Sequence, residues 1–481
     1  MCIKKLFLLP ALLAASGLIL TGRSSAQSYS NLHVFTNYPA DGANPQGSLI
    51  VSGNMLYGTT SGGGNQTSLS GTVFKINTDG SGFTNFYFFP AVSEPGYPHT
   101  NSNGAFPEAG LVLSGNTLYG TAYGGGTFGL GTIFRVNTDG SGFANLHTFT
   151  NGTDGANPEA GLVLSGNMLY GTATGNDSAN YGTVFALGTN GAGFTMLHTF
   201  TNGTDGAIPL AGLILAGGTL YGTTTAGASG GNGTVFAINT NGTGFTNLYS
   251  FSAGTPNDED IITNGDGANP EAGLILVGNT LYGTANDGGL TGNCAVFAVS
   301  TNGTSFTNLY SFTDIGDYGP NSDGALPQAG LISVGSTLYG TAADGGSSAS
   351  GTVFAINTDG TDLTNLYSFN GFVNSGGDLP LAGLVLSGGT LFGTTFHGGD
   401  GVDGVVFSLS VTLPAAPQLT ITHSGNGAIV SWPESVTGWT LQTNQNLGTG
   451  AWGDYAGPVI NNIATNSPLT GKLFFRLSSS P

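Results

Sequence analysis

The chain has 481 residues, 85 of them glycine, with only 7% charged residues and a formal charge of −19. Its length exceeds a single ordinary core, and so few charges exclude extensive ion-pair networks as its source of stability. Acids outnumber Lys and Arg by 26 to 7, which excludes nucleic acid and anionic membranes as partners held by charge attraction.

Residues 1–26 read as a secretory signal. Lys4 and Lys5 precede an apolar stretch from Leu6 to Leu20, and Ser24-Ser25-Ala26 supplies small residues for cleavage after Ala26. The apolar run is short for a bilayer span. Cleavage would leave four basic residues, Lys75, Arg135, Lys472 and Arg476, and one cysteine, Cys294, so no intrachain disulfide is expected. Cys294 stands where the preceding repeat has Gly233, and it reads as a small buried residue.

From residue 27 to 412 one phrase organises the chain. Leu-Tyr-Gly-Thr begins at Leu56, Leu118, Leu169, Leu220, Leu281 and Leu338, with Leu-Phe-Gly-Thr at Leu391; the intervals are 62, 51, 51, 61, 57 and 53 residues. These match four-stranded propeller blades better than helical solenoid units. Residues 109–149 show one unit. Ala109 to Leu113 forms strand a, Ser114-Gly115-Asn116 the turn, and Thr117 to Ala122 strand b. After a Gly-rich loop, Gly131 to Val136 forms strand c, and Asp139-Gly140 turns the chain into strand d, Phe143 to Phe149. Glycine leading each a–b turn predicts type II′ geometry in every copy.

The seventh c strand, Val405 to Leu409, is followed by Pro414-Ala-Ala-Pro417 with no hairpin turn. Asn31 to Phe35 matches the d strands at Asn145 to Phe149 and Asn247 to Phe251, so the N-terminus is expected to complete blade seven and close the ring. The expected fold is all-β: a seven-bladed propeller at 27–412, a linker at 413–417 and a small β-sandwich at 418–481. The sandwich carries all three tryptophans, of which Trp432 and Trp439 read as packing residues and Trp452 is the freest. No apolar helix with a basic tail follows it, so no membrane-spanning anchor is expected.

The Leu-Tyr-Gly-Thr, Gly-Gly, Gly-Thr-Val-Phe and Asp-Gly-Ala-x-Pro phrases resemble those of the GloVer tandem-repeat proteins of bacteria, also called choice-of-anchor proteins, over residues 31 to 410. The resemblance implies secretion and a propeller-like repeat, with no catalytic residues to carry over. Strand order is similar to that of kelch blades, and the tail is somewhat like a fibronectin type III module.

Strand parity puts the uniform a–b and c–d turns on one face of the disc and the variable b–c and d–a loops on the other, where a ligand site is expected. Asp41, Asp154, Asp205, Asp266 and Asp323 lead the Asp-Gly-Ala-x-Pro phrases, with Asn103 once and Asp378 in a shortened form. Turn formation is the favoured role for these aspartates. Past each proline stand Gln46, Glu108, Glu159, Leu210, Glu271, Gln328 and Leu381, a mixed ring that argues against a symmetric metal site. Asp258, Glu259, Asp260, Asp314, Asp317 and Asp323 are acidic beyond the repeat's needs and are candidate calcium ligands, solvated acids being the favoured reading. Otherwise no cofactor is expected.

A sialidase-type arginine cluster is excluded, because Arg135 and Arg476 fall in different domains. A copper-radical oxidase would need His99, His397 and Cys294, while His33, His147 and His198 occupy a strand position filled elsewhere by Tyr87, Tyr249, Tyr310 and Tyr367. That interchange reads as packing with a polar tip. The expectation is a secreted or cell-surface monomer that binds a glycan or protein without catalysis. The alternative is an extracellular carbohydrate-active enzyme with a carboxylate pair at the channel mouth. An enzyme should hold acids of raised pKa at the axis; a scaffold should present unperturbed groups.

Overall fold

A computed structural model describes residues 27–36, 41–64, 69–93, 99–150, 152–175, 181–256, 262–290, 292, 294–313, 319–371, 376–399 and 403–413, and in the C-terminal region 418–424, 427–431, 439–444, 453–454, 459–460, 463–466 and 474–479. Seven four-stranded antiparallel sheets follow one another along the chain. Blade one runs a to d through Ile50–Ser52, Met55–Thr60, Thr72–Asn77 and Thr84–Phe88. Blade seven takes Val385–Ser387, Thr390–Thr395 and Val405–Ser410 from the end of the propeller and its d strand, Tyr29–Val34, from the N-terminus. The expected closure is therefore present, and it begins two residues earlier than the match at Asn31.

Each letter of the repeated phrase has a separate job. Its leucine is wholly buried in every blade, in the apolar layer between neighbouring sheets. Its glycine pairs across the ladder with the phenylalanine of strand c, as Gly58 does with Phe74 and Gly120 with Phe134. A Cβ at any of the seven glycines would lie 2.5–2.7 Å from that ring, so only glycine lets the phenylalanine cover the strand. Its threonine leaves the blade altogether. Thr59 Oγ1 donates to the carbonyl of Ala109 in blade two, and Thr121, Thr172, Thr223, Thr284 and Thr341 repeat the bond to Ala160, Ala211, Ala272, Ala329 and Ala382 at 2.9–3.4 Å. At the seam the pattern stops: Thr394 Oγ1 is buried with no partner among the described residues.

The a–b turns differ from expectation in two copies. Gly53, Gly115, Gly166, Gly278 and Gly335 have φ of +56 to +62° with no positive φ at the next residue, as type II′ requires. In Gly217-Gly218 and Gly388-Gly389 both residues have positive φ, the type I′ pattern, because a second glycine removes the steric bar.

A circle of ring stacks joins the d strands. Tyr87 stacks on Phe143, His147 on Phe194, His198 on Phe245 and Tyr249 on Phe306, with centroids 3.8–4.0 Å apart. The N-terminal strand is gripped on both sides: Tyr29 stacks on Tyr367 of blade six at 4.0 Å and His33 on Phe83 of blade one at 3.5 Å. Histidine and tyrosine interchange because either offers a flat face with a polar tip.

The C-terminal region forms two small sheets. One contains Thr420–Ser424, Gly427–Ser431, Val459–Ile460 and Ile463–Asn466; the other contains Trp439–Asn444, Gly453–Asp454 and Phe474–Ser479. Val430 and Leu441 are its buried centre. Trp432 and Trp452 lie outside the described residues. Among the described residues no helix is long and apolar enough to cross a membrane.

Two predictions follow from this packing. Phe35 is fully buried against Phe74, so Phe35→Ala should cost about 3–5 kcal/mol, and removing residues 27–36 should lower the melting temperature sharply. Denaturation curves unchanged by either would contradict closure by this strand. Cys294 has φ of +91° at a site where the six other blades place glycine at +91 to +104°. Its Sγ accepts the N–H of Leu326 at 3.1 Å. Cys294→Ala keeps the strained φ and loses that acceptor, whereas Cys294→Gly relieves the strain by about 1 kcal/mol. The glycine variant should therefore melt above the alanine variant, and a reversed order in calorimetry would refute the strain argument.

Candidate functional site

The variable face is built by pairing each d–a loop with the b–c loop of its own blade. Gly42-Ala43 pairs with Gly62-Gly63 and Gly377-Asp378 with His397-Gly398, while Ala105, Ala207, Ala268 and Ala325 form single bridges to Gly124, Ala226, Asp287 and Asp344. Both loop sets therefore share one face, as strand parity requires.

The residue before each loop proline is left-handed in all seven copies. Asn44, Phe106, Asn157, Ile208, Asn269, Leu326 and Leu379 have φ of +52 to +58°, which is costly for Ile208 and the other bulky side chains. What holds them there is a bond on each side. Phe106 N–H donates to Ser70 O of blade one, while Phe106 O accepts from Tyr123 N–H of blade two; Asn157 and Ile208 make the same bonds with their neighbours. Phe106, Ile208 and Leu326 give no sequence warning of this geometry, since only asparagine favours it intrinsically.

The leading aspartates are structural. Asp154 accepts from Thr150 N–H and Oγ1 and contacts His147 Nε2, and Asp205 does the same with Thr201 and His198. Asp266 accepts from Tyr249 Oη at 2.7 Å, Ser252 N–H and Ser252 Oγ. Asp323, a calcium candidate, is buried and accepts from Tyr310 Oη, Thr313 N–H and Thr313 Oγ1. Asp258, Glu259, Asp260, Asp314 and Asp317 lie outside the described residues. Among the described residues no group of three His, Cys, Asp or Glu side chains could hold a metal ion. Cys294 is buried with its thiol pushed up by desolvation, which suits a packing residue and not a nucleophile. Arg135 lies in blade two and Arg476 in the C-terminal sheets, on Gln442.

The perturbed acids stand instead at the position after the proline. Glu108, Glu159 and Glu271 are half-buried four residues ahead of strand a in blades two, three and five, whose a strands are Val112–Ser114, Val163–Ser165 and Ile275–Val277. Burial, then the neighbouring Glu159, pushes Glu108 up to about 7, with a hydrogen bond from Gln46 acting in the opposite sense. Burial and Glu271 push Glu159 up to about 7, and burial and Asp287 do the same to Glu271. Two residues further along the chain from each of these positions, Ser48, Gly110, Gly161, Gly212, Gly273, Gly330 and Gly383 line a cavity of about 330 Å³. One equivalent residue from every blade places this cavity on the axis. Glu108 is coupled to Glu159 and Glu159 to Glu271, so the glutamates form an acidic arc just ahead of this ring in the chain, with Leu210 breaking it between Glu159 and Glu271.

Such an arrangement can exchange protons at neutral pH. Coupled carboxyl groups with pKa near 7 share protons there, so an acid and a carboxylate coexist in one site. The sequence names the ring positions, but not the desolvation that perturbs them.

Among curated proteins no sequence matches the chain. Among solved structures it is similar to an oligogalacturonate lyase from Vibrio parahaemolyticus at 8% identity, over 81% of this chain and 95% of that one, with a TM-score of 0.48. It is similar to an oligogalacturonate lyase in complex with manganese at 12% identity, over 82% and 95%, with a TM-score of 0.47. A puromycin-hydrolyzing peptidase of Mycobacterium tuberculosis is similar at 13% identity, over 85% of this chain and 61% of that one, with a TM-score of 0.48. These likenesses carry no argument about activity. The family model of the Gloeobacter/Verrucomicrobia repeat matches residues 92–264 and again 257–454, so the chain belongs to that repeat family.

Proposed function

We propose that this protein is an extracellular carbohydrate-active enzyme whose acid–base pair is Glu108 and Glu159 at the mouth of the axial pocket. The observation that carries this reading is the raised pKa of neighbouring carboxyl groups on the axis; a passive scaffold would present acids at ordinary values. Gln46 hydrogen-bonds Glu108 and favours its ionised form, whereas Glu159 owes its shift to burial and to Glu271. In this reading Glu159 donates the proton to the leaving oxygen, and Glu108, which Gln46 helps to hold ionised, activates water or attacks the sugar carbon. The secretory signal read in the sequence of residues 1–26 supports an extracellular site of action. The acidic, base-poor chain favours a neutral glycan over an anionic one.

Reducing-end release from a panel of neutral oligosaccharides tests the proposal. Glu159→Gln should lower turnover by about 10²–10⁴-fold, while Asp79→Asn on the opposite face should leave it unchanged. Absence of turnover by the wild type across the panel, or full activity in Glu159→Gln, would overturn it. Binding of a glycan without turnover would return the protein to the scaffold reading.

The same shifts set a pH dependence of stability. The unfolded chain releases these glutamate protons near 4.5, the folded chain near 7, so the folded state holds more protons between those values. Stability should fall as pH rises through this window. Replacing Glu108, Glu159 and Glu271 together by Gln should flatten that slope and raise the melting temperature at pH 8. A slope unchanged in the triple variant would show that these groups do not carry it.

A further inference from the structure

The axial pocket is lined by one small residue from every blade, glycine in six of them, and by the leucine that follows each, with Ile214 and Ile332 beyond. At the seam the N–H of Gly383 donates to Ser48 Oγ at 3.0 Å, and Ser48 is the one pocket position in the ring that is not glycine. This bond reveals where a ring amide points: toward the space just inside the next blade's α-carbon. In the rest of the ring that next residue is a glycine, with no side chain to occupy the space. Among the described residues, no protein group accepts from the amides of Gly110, Gly161, Gly212, Gly273 or Gly330.

Acceptors border the same space. A Cβ placed on Gly161, Gly212, Gly273 or Gly330 would lie 3.1–3.4 Å from the carbonyl oxygen of the preceding ring glycine. Each interval of the ring thus offers an N–H and a C=O together. A hydroxyl both donates and accepts and satisfies the pair, as Ser48 Oγ does on the donor side. An oxyanion would meet the carbonyl oxygens and, above them, the glutamates, with no Lys or Arg among the pocket's lining residues. The cavity, about 330 Å³, is at the lower end of the range for small-ligand sites.

We infer that the axial pocket is a subsite for one neutral sugar residue, held by its hydroxyl groups on the glycine ring, with Ser48 a built-in hydroxyl that closes the seventh position. The inference deepens the saccharide reading of the glutamate mouth and rests on it for the class of ligand. Held there, a chain terminus would bring its first linkage to the level of Glu108 and Glu159, so cleavage would proceed from an end.

Saturation-transfer NMR and titration of the full chain with glucose, galactose, mannose and N-acetylglucosamine test this, with inorganic sulfate as the anion arm. Gly212→Ala with Gly273→Ala is the diagnostic variant. Neither glycine has positive φ, and each new Cβ would meet its nearest neighbour at 3.4 Å, an ordinary contact, so the fold should survive with an unchanged melting temperature. The methyl groups would occupy the hydroxyl positions and weaken binding of the preferred sugar by about tenfold or more. Ser48→Gly should tighten it several-fold by freeing the Gly383 amide. Failure of every sugar to bind, equal affinity in the double variant, or displacement of the sugar by sulfate would each overturn the inference. Sugar binding without turnover would refute the hydrolytic reading alone; turnover from chain ends that the double alanine variant leaves intact would refute the subsite alone.

Discussion

The propeller depends on a buried hydroxyl that crosses from blade to blade. Each blade offers one threonine whose Oγ1 reaches the carbonyl at the start of the next strand a, and six of these bonds join seven sheets in series. A buried hydroxyl or carbonyl without a partner is expensive, so the bond fixes the spacing and tilt of adjacent blades as well as contributing energy. With that spacing set, the leucine layer between sheets and the stacked rings on the d strands fall into contact.

The break in the series lies where the chain ends meet. Thr394 Oγ1 has no partner among the described residues, and Ser48 replaces the glycine of the other blades. Closure is carried instead by the N-terminal strand, which pairs along Val405–Ser410 and stacks on an aromatic ring at each neighbour. The unpaired Thr394 Oγ1 and the serine in the glycine ring both fall at the junction that joins the two ends of the propeller chain.

The perturbed glutamates are a consequence of the same geometry. The residue after each proline follows a left-handed residue that, in blades such as two, three and four, is pinned by bonds to two blades. Glutamate placed there is desolvated and faces its counterparts. Gln46, Gln328, Leu210 and Leu381 show that the fold tolerates neutral residues at the position, so the carboxyl groups of Glu108, Glu159 and Glu271 are not a requirement of folding. Burial raises their pKa, so ionising them at neutral pH works against the folded state.

By itself the sequence determined the number of blades, the strand order within them, the closing role of the N-terminal strand and the face on which variable loops gather. Those features rest on periodicity and on turn chemistry, which are local and repeat seven times. The interchange of His147 and His198 with Tyr249 and Tyr310 was legible as packing for the same reason. Only the tertiary structure decided that Asp323 serves a turn, that Phe106 and Ile208 adopt positive φ, that Gly217-Gly218 forms a different turn from Gly115-Asn116, and that Glu108, Glu159 and Glu271 share a desolvated mouth above a ring of glycine amides. Each of these depends on atoms brought together from different blades, and burial and electrostatic coupling between them exist only once the ring has closed.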